Sequence, residues 1–250
     1  MQKAVRVLVV GATGRMGQAI SRMAESQTDI DVVARPGRDE PIRKLVGNCD
    51  VVIDVSSVAA IKEVCEACVE HSKPLVIGTT GYSADQTNAI ASAAKMIPIV
   101  LAPNFSVGVN TLFWLTRKAA ELLGQDFDIE IVESHHRLKK DAPSGTAKRL
   151  AEVLCEVRGL RYEENVAHGR EGMVGERPPN QIGMHAIRAG EMAGEHTVVF
   201  AGAGERLELT HRALSRDTFA VGALQAARWI AGRPPMLYTM EHVLGLAAAQ

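Results

Sequence analysis

No stretch of this sequence approaches the roughly 20 consecutive apolar residues that a bilayer-spanning helix needs. An excess of either charge is also lacking: 28 Lys plus Arg stand against 29 Asp plus Glu, for a net charge of −1. That balance gives no support to binding of nucleic acid or a membrane surface. The opening residues, Met-Gln-Lys-Ala-Val-Arg-Val, pass straight into a strand pattern without a signal-peptide h-region, so a cytoplasmic location is expected. Cysteine is scarce, at Cys49, Cys65, Cys68 and Cys155. Cys65 and Cys68 form one Cys-x-x-Cys pair, and a single pair without a partner pair is weak evidence for zinc. They fall in a helical pattern where small apolar residues suit the inner face, so packing is the expected role and no metal is expected. No internal repeat or low-complexity segment is visible.

With 250 residues, 46% of them hydrophobic, the chain can form one large domain or two modest ones with ample core. Its first hundred residues alternate strand and helix signals. Residues 5–10 are, apart from Arg6, a continuous apolar run, as expected of a parallel strand buried on both faces. Further strands are predicted at 31–35, 51–55, 74–77 and 97–101. Helices are predicted from Met16, up to about His71, and from the Ser83 cap to Lys95. Repeated β-α-β order implies a parallel sheet with right-handed crossovers.

The pattern changes after Asn104. A helix is predicted over 107–123, a strand over 127–135 and a helix over 146–157, followed by a polar, Gly- and Pro-rich stretch to residue 180. Residues 181–188, 195–201 and 206–211 read as three successive strands of an antiparallel meander. A last helix over about 218–230 is expected to return to the first domain. The expected fold class is α/β: a Rossmann-type parallel-sheet domain plus a second α+β domain with a mixed or antiparallel sheet. The expected boundaries are 1–106 with 217–250 for dinucleotide binding, and 107–216 for substrate binding and oligomerisation.

Gly11-Ala12-Thr13-Gly14-Arg15-Met16-Gly17 directly follows a buried strand and opens a helix, the context a dinucleotide fingerprint requires. Its glycines allow a tight turn, close approach of a pyrophosphate and packing of helix on strand. The helix start supplies N–H donors for phosphates. A tight βα turn without a ligand is the alternative. The acid that often meets the ribose 2′-hydroxyl about 20 residues later is missing from Arg35-Pro36-Gly37-Arg38, and Asp39 and Glu40 arrive slightly late. Arg35 and Arg38 suit a 2′-phosphate, or are ordinary surface arginines.

The segment Glu-Ser-His-His-Arg-Leu-Lys-Lys-Asp-Ala-Pro-Ser-Gly-Thr-Ala, residues 133–147, concentrates positive charge. Five of the six residues from His135 to Lys140 can be cationic. His135 ends a predicted strand, where imidazole can exchange protons near neutral pH. His136 should point the opposite way and do a different job. Ser144, Gly145 and Thr146 begin the next helix and can hold a carboxylate. A basic surface loop before a capped helix is the alternative.

These motifs resemble the dihydrodipicolinate reductase family of the bacterial diaminopimelate and lysine pathway. The resemblance runs in order through residues 9–17, 76–81, 102–110 (Ala-Pro-Asn-Phe-Ser-Val-Gly-Val-Asn), 133–147, 194–197 and 204–211. It implies that His135 is the acid/base near the reacting carbon and Lys139 the other proton donor. His136, Ser144, Gly145 and Thr146 would hold the carboxylates of a small dicarboxylate substrate. Gly11, Ala12, Thr13, Gly14, Arg15 and Met16 would line the cofactor, NADPH or NADH, together with Gly78, Thr79, Thr80, Ala102, Pro103, Asn104 and Phe105. It further implies reduction of a cyclic imine to tetrahydrodipicolinate and a homotetramer built through the C-terminal sheet. Two departures bear on cofactor choice: residues 35–50 omit an element that many relatives have, and the ribose acid is replaced.

A non-enzymatic dinucleotide sensor is a competing reading, but it would not need the histidine-lysine cluster. A semialdehyde or amino-acid dehydrogenase on the same scaffold is another, and an acyl-forming one would need a catalytic cysteine near a histidine. His71, His185 and His242 read as surface or packing residues, and no chemical role is evident for His196 or His211. His168, Arg170 and Arg177 lie in the polar stretch and are candidates for a lid. Replacing Arg35 and Arg38 by Ala should raise KM selectively for the phosphorylated cofactor. An equal rise for both cofactors would show these arginines to be ordinary surface residues.

Overall fold

In the computed structural model, residues 3–37 and 40–247 are described. Arg38, one of the two arginines expected at the ribose, lies outside the described residues. The chain divides into two compact units, Met1–Val107 with Arg216–Gln250, and Gly108–Ser215. In chain order the elements are β1 (Val5–Val10), α1 (Arg15–Glu25), β2 (Ile30–Ala34), β3 (Val51–Asp54), α2 (Ile61–Glu70), β4 (Leu75–Ile77), α3 (Ala84–Ala93) and β5 (Pro98–Leu101). There follow α4 (Val107–Leu123), β6 (Asp128–His135), α5 (Gly145–Arg158), α6 (Tyr162–Asn165), β7 (Val166–His168), β8 (Ile182–Arg188), β9 (Glu195–Ala201) and β10 (Arg206–Arg212). The last are α7 (Asp217–Ile230), β11 (Met236–Tyr238) and α8 (Met240–Val243).

The first unit holds a six-stranded sheet in the order β11-β5-β4-β3-β1-β2, with every pairing parallel. Residues 7–10 of β1 form an unbroken apolar run because both faces of the strand are covered there, whereas Arg6 pairs with Asp50 at 2.8 Å. Val7 and Val9 pack with Ile20 of α1 and with Ala223, Leu224 and Ala227 of α7. Leu8 and Val52 pack on the other side with Val64 and Cys68 of α2 and Ile90 of α3. The cysteines of the Cys-x-x-Cys pair are free and buried in this second layer. Burial pushes the Cys65 thiol up to about 12 and raises that of Cys68 well above its ordinary value, so both behave as apolar packing groups.

In the second unit five strands run in the order β10-β9-β6-β8-β7. β9 is antiparallel to both β6 and β10, whereas β8 is parallel to β6 and β7. The sheet is mixed, and the expected meander of three successive strands does not form: β8 lies on the far side of β6 from β9. The connection from β6 to β8 carries α5, α6 and β7, long enough for a parallel crossover. Alternation marks a strand but does not name its neighbour. Ile129, Ile131, Met184, Val198 and Phe200 face Leu150, Ala151 and Leu154 of α5.

The polar stretch after α5 is anchored at Glu130. Arg170 donates from both terminal nitrogens (3.0 and 2.8 Å), Arg177 from Nε (3.1 Å), and His185 Nε2 lies at 2.7 Å. Burial alone would raise the Glu130 carboxyl, but Arg170, His185 and Arg177 together hold it at about 2. Glu130 and His135 sit on opposite faces of β6, so Arg170 and Arg177 are engaged away from His135.

Helix α7 contains Gly222 in its interior, where glycine is unfavourable by about 1 kcal/mol relative to alanine. The backbone carbonyl of Phe105 occupies the space that a β-carbon would need. Gly222→Ala should therefore lower stability by about 1–3 kcal/mol through overpacking, despite its better helix propensity. Chemical denaturation with an unchanged m-value checks this.

Candidate functional site

The cofactor side begins at the turn after β1. Gly11 has φ +83°, and a β-carbon there would come within 2.7 Å of Ser56 Cα. At Gly17 a β-carbon would run into the carbonyl of Gly11, so a side chain would drive α1 off the turn. Gly14 caps α1 without any side-chain hydrogen bond. The helix-start donors are therefore left to other partners, which suits phosphate. The residues present fit a dinucleotide.

Two cavities of this unit border that turn and the ends of its strands. One, of about 300 Å³, is lined by Gly11, Thr13 and Gly14, with Pro36, Gly37 and Glu40 across from them. The other, of about 580 Å³, brings together Met16, Gly78, Thr79, Thr80, Pro103, Asn104 and Phe105. Val55, Ser56 and Ser57 line both. Buried Asp54 braces this shared loop by accepting from Ser56 N at 3.0 Å and Ser56 Oγ at 2.5 Å. Ala12 and Ala102 are core residues, and Arg15 lines neither cavity. Arg35 donates to Ser21 Oγ (3.1 Å) and to the carbonyl of Val32 (3.3 Å), so it is held against α1 and β2. At this position it is the acid Glu40 that lines the cavity.

The second unit gathers the cationic segment around a carboxylate that sequence reasoning left without a role. Glu133 has 0% exposure. Arg188 donates to both of its oxygens, at 2.8 and 2.7 Å, Ser144 N–H at 3.0 Å, and His135 Nδ1 lies 2.6 Å away. Burial works to raise the Glu133 carboxyl, but Arg188, His135 and Ser144 outweigh it and hold it below the ordinary range. Burial lowers the pKa of His135, and the Glu133 carboxylate only partly offsets this. Lys139 pairs with Asp141 at 2.9 Å, close enough to His135 for its charge to act on the ring. The backbone of the segment is fixed by His136 N–H to Met192 O (2.9 Å) and Arg137 N–H to Gly190 O (3.2 Å). Ser144 caps α5 by accepting from Ala147 N–H at 3.2 Å. Gly145 is exposed and Thr146 half-buried at the helix start.

His196 is a second residue that the sequence did not single out. It is buried, it meets Ser144 Oγ through Nε2 at 2.9 Å, and its ring stands edge-on to His135 with centroids 5.1 Å apart. Its only sequence signal was membership of a matching segment. Burial, with the nearby His135, pushes its pKa down to about 3. The native protein therefore keeps it neutral, while the unfolded chain protonates it near pH 6.5. Stability from this group is present above about pH 6.5 and is lost as pH falls toward 3. His196→Gln should flatten the fall in denaturation midpoint between pH 7 and pH 4, and parallel curves for the two proteins would contradict this account.

Comparison with known proteins gives two family matches. Residues 5–105 match the model described as dihydrodipicolinate reductase, N-terminus, and residues 108–244 the one described as dihydrodipicolinate reductase, C-terminus. A 4-hydroxy-tetrahydrodipicolinate reductase of Akkermansia muciniphila is 52% identical, covering 97% of this chain and 99% of the relative. One from Myxococcus xanthus is 45% identical, covering 96% and 98%. A solved structure of dipicolinate-bound dihydrodipicolinate reductase from Paenisporosarcina sp. TG-14 aligns with a TM-score of 0.80 at 25% identity, covering 96% of this chain and 99% of that one. A probable dehydrogenase from Thermotoga maritima shares the fold, at a TM-score of 0.60 and 13% identity, covering 97% and 93%. The matches run through both units from residue 5 to residue 244, and the chain belongs to the dihydrodipicolinate reductase family.

Proposed function

We propose that this chain is a 4-hydroxy-tetrahydrodipicolinate reductase that uses reduced nicotinamide, NADPH or NADH, to form tetrahydrodipicolinate. The observation that carries this reading is the convergence of His135, Lys139 and the start of α5 on one end of the second unit's sheet. Such a cluster suits a small dicarboxylate that must receive a proton. When bound, the cofactor supplies hydride. The first unit holds it: the turn at Gly11 and the uncapped start of α1 take the phosphates, while Gly78, Thr79, Thr80 and residues 103–105 line the remaining cavity.

The second unit binds substrate. Gly145 and Thr146 offer the start of a 14-residue helix to one carboxylate, and His136 and Ser144 complete its surroundings. Lys139 faces the dianion with its charge and His135 exchanges the proton. Burial of all four cysteines, with their thiols raised, fits a reductase better than an acyl-forming semialdehyde dehydrogenase. The same reading includes a homotetramer built through the second unit's sheet and a cytoplasmic location. Among the described residues no helix is long and apolar enough to cross a membrane.

Steady-state consumption of reduced cofactor, coupled to dihydrodipicolinate synthase, tests the proposal. Turnover should appear only when the synthase product is supplied, whereas tight cofactor binding without turnover would favour a sensor. In that assay His135→Ala should lower kcat by roughly 10²–10⁴ with modest change in KM, because a positioned proton donor acts in the transition state. Lys139→Ala should lower kcat and raise KM. His136→Ala and Thr146→Ala should act mainly on KM, since a carboxylate contact exists in ground and transition states alike. Cofactor affinity should survive all four changes.

A further inference from the structure

We propose that Glu133 is a positioning residue for the reduction: its buried carboxylate holds the Nδ1–H of His135, which leaves Nε2 as the nitrogen that exchanges a proton with substrate. This rests on the reading of His135 as the acid/base.

Three observations carry it. First, Glu133 and His135 are two residues apart on β6, so both side chains emerge on the same buried face. Second, every other group bound to Glu133 is an obligate donor: the guanidinium of Arg188 and the N–H of Ser144. The carboxylate is therefore ionised and acts as acceptor, so the hydrogen in the 2.6 Å contact belongs to His135 Nδ1. Third, the opposite nitrogen is approached by a residue that has no side chain. Gly194, at φ +152°, faces it, and a β-carbon at that residue would stand 3.0 Å from Nε2.

The remaining groups around the ring do not duplicate this function. His196 on β9 is neutral and edge-on to it. Arg188 on β8 is committed to Glu133, and Lys139 is paired with Asp141 in the loop after β6. Arg188 and Lys139 both disfavour a charged imidazole, as does burial, and Glu133 is the anion that favours it. A carboxylate behind an imidazole selects the tautomer and stabilises the imidazolium without itself taking the proton.

Glu133→Gln removes the charge and keeps the size. Expected results are a fall in kcat of roughly 10²-fold, at the lower end of what a positioned proton donor contributes, with little change in KM or cofactor affinity. The limb of the kcat profile that needs charged His135 should move to lower pH, and the imidazole signals of His135 in NMR should titrate at lower pH. Glu133→Asp keeps the anion and should recover part of both. It also serves as the readout should the glutamine variant not fold, by a smaller displacement in the same direction. An unchanged His135 titration in these variants overturns the proposal even if activity drops, because a merely structural role would lower activity without moving that titration. His135→Ala run alongside separates the premises: intact turnover there removes the acid/base reading itself.

Discussion

One ionised carboxylate without access to water organises the second unit. Transferring a charge out of water costs several kcal/mol even after relaxation, and the cost is met only if hydrogen-bonding partners surround it. Glu133 takes its partners from three separated parts of the chain: its own strand, the end of β8 and the residue that caps α5. Losing one partner of such a group costs about 3–5 kcal/mol. The strand ends and the helix start are thus held in a single arrangement. Arg188 extends it by donating to the carbonyl of Asp141 at 2.7 Å, so the loop that carries Lys139 is tied into the same knot.

Under the proposed function, the two units handle anions by related means but with different fittings. Both use the start of a helix, where backbone N–H groups lack partners within the helix. At α1 the cap is a glycine and no side chain makes a capping hydrogen bond, which suits a bulky pyrophosphate. At α5 the Ser144 hydroxyl already accepts from Ala147 N–H and meets His196. This start is more enclosed and mostly surrounded by protonatable groups. Under the proposed function, one physical device would serve phosphate in one unit and a small acid in the other, distinguished by the side chains placed around it.

Legibility in the sequence followed locality. The Gly11 turn and the first sheet could be read because strand, glycines and helix are contiguous, and a two-face-buried strand shows as an unbroken apolar run. His135 could be read because it ends an alternating strand in a charged segment. Glu133 stood in the same quoted segment, yet its role was not evident: its main partner, Arg188, is 55 residues away, and nothing local marks that arginine. His196 was hidden for the same reason. The misplacement of β8 arose because alternation reports which face a residue occupies, while strand order is decided by the length and packing of crossovers. Arg35 looked suited to a ribose phosphate from its position alone, and only its bonds to Ser21 and Val32 reveal the direction of its side chain.

The arrangement of α7 and β11 bears on how the chain is made. Both complete the first unit, one covering a face of its sheet and the other extending its edge, yet they follow the whole second unit in sequence. At ribosomal speeds of about 5–20 residues per second, the 108 residues of Gly108–Ser215 take roughly 5–20 s to appear. During that time Val7, Val9, Ile53 and Val100 lack the helix that later covers them. The nascent first unit thus waits with an apolar face open, and the inserted unit can fold first although it is made second. Exposure of that face during synthesis follows from the order of the elements rather than from the stability of the finished protein.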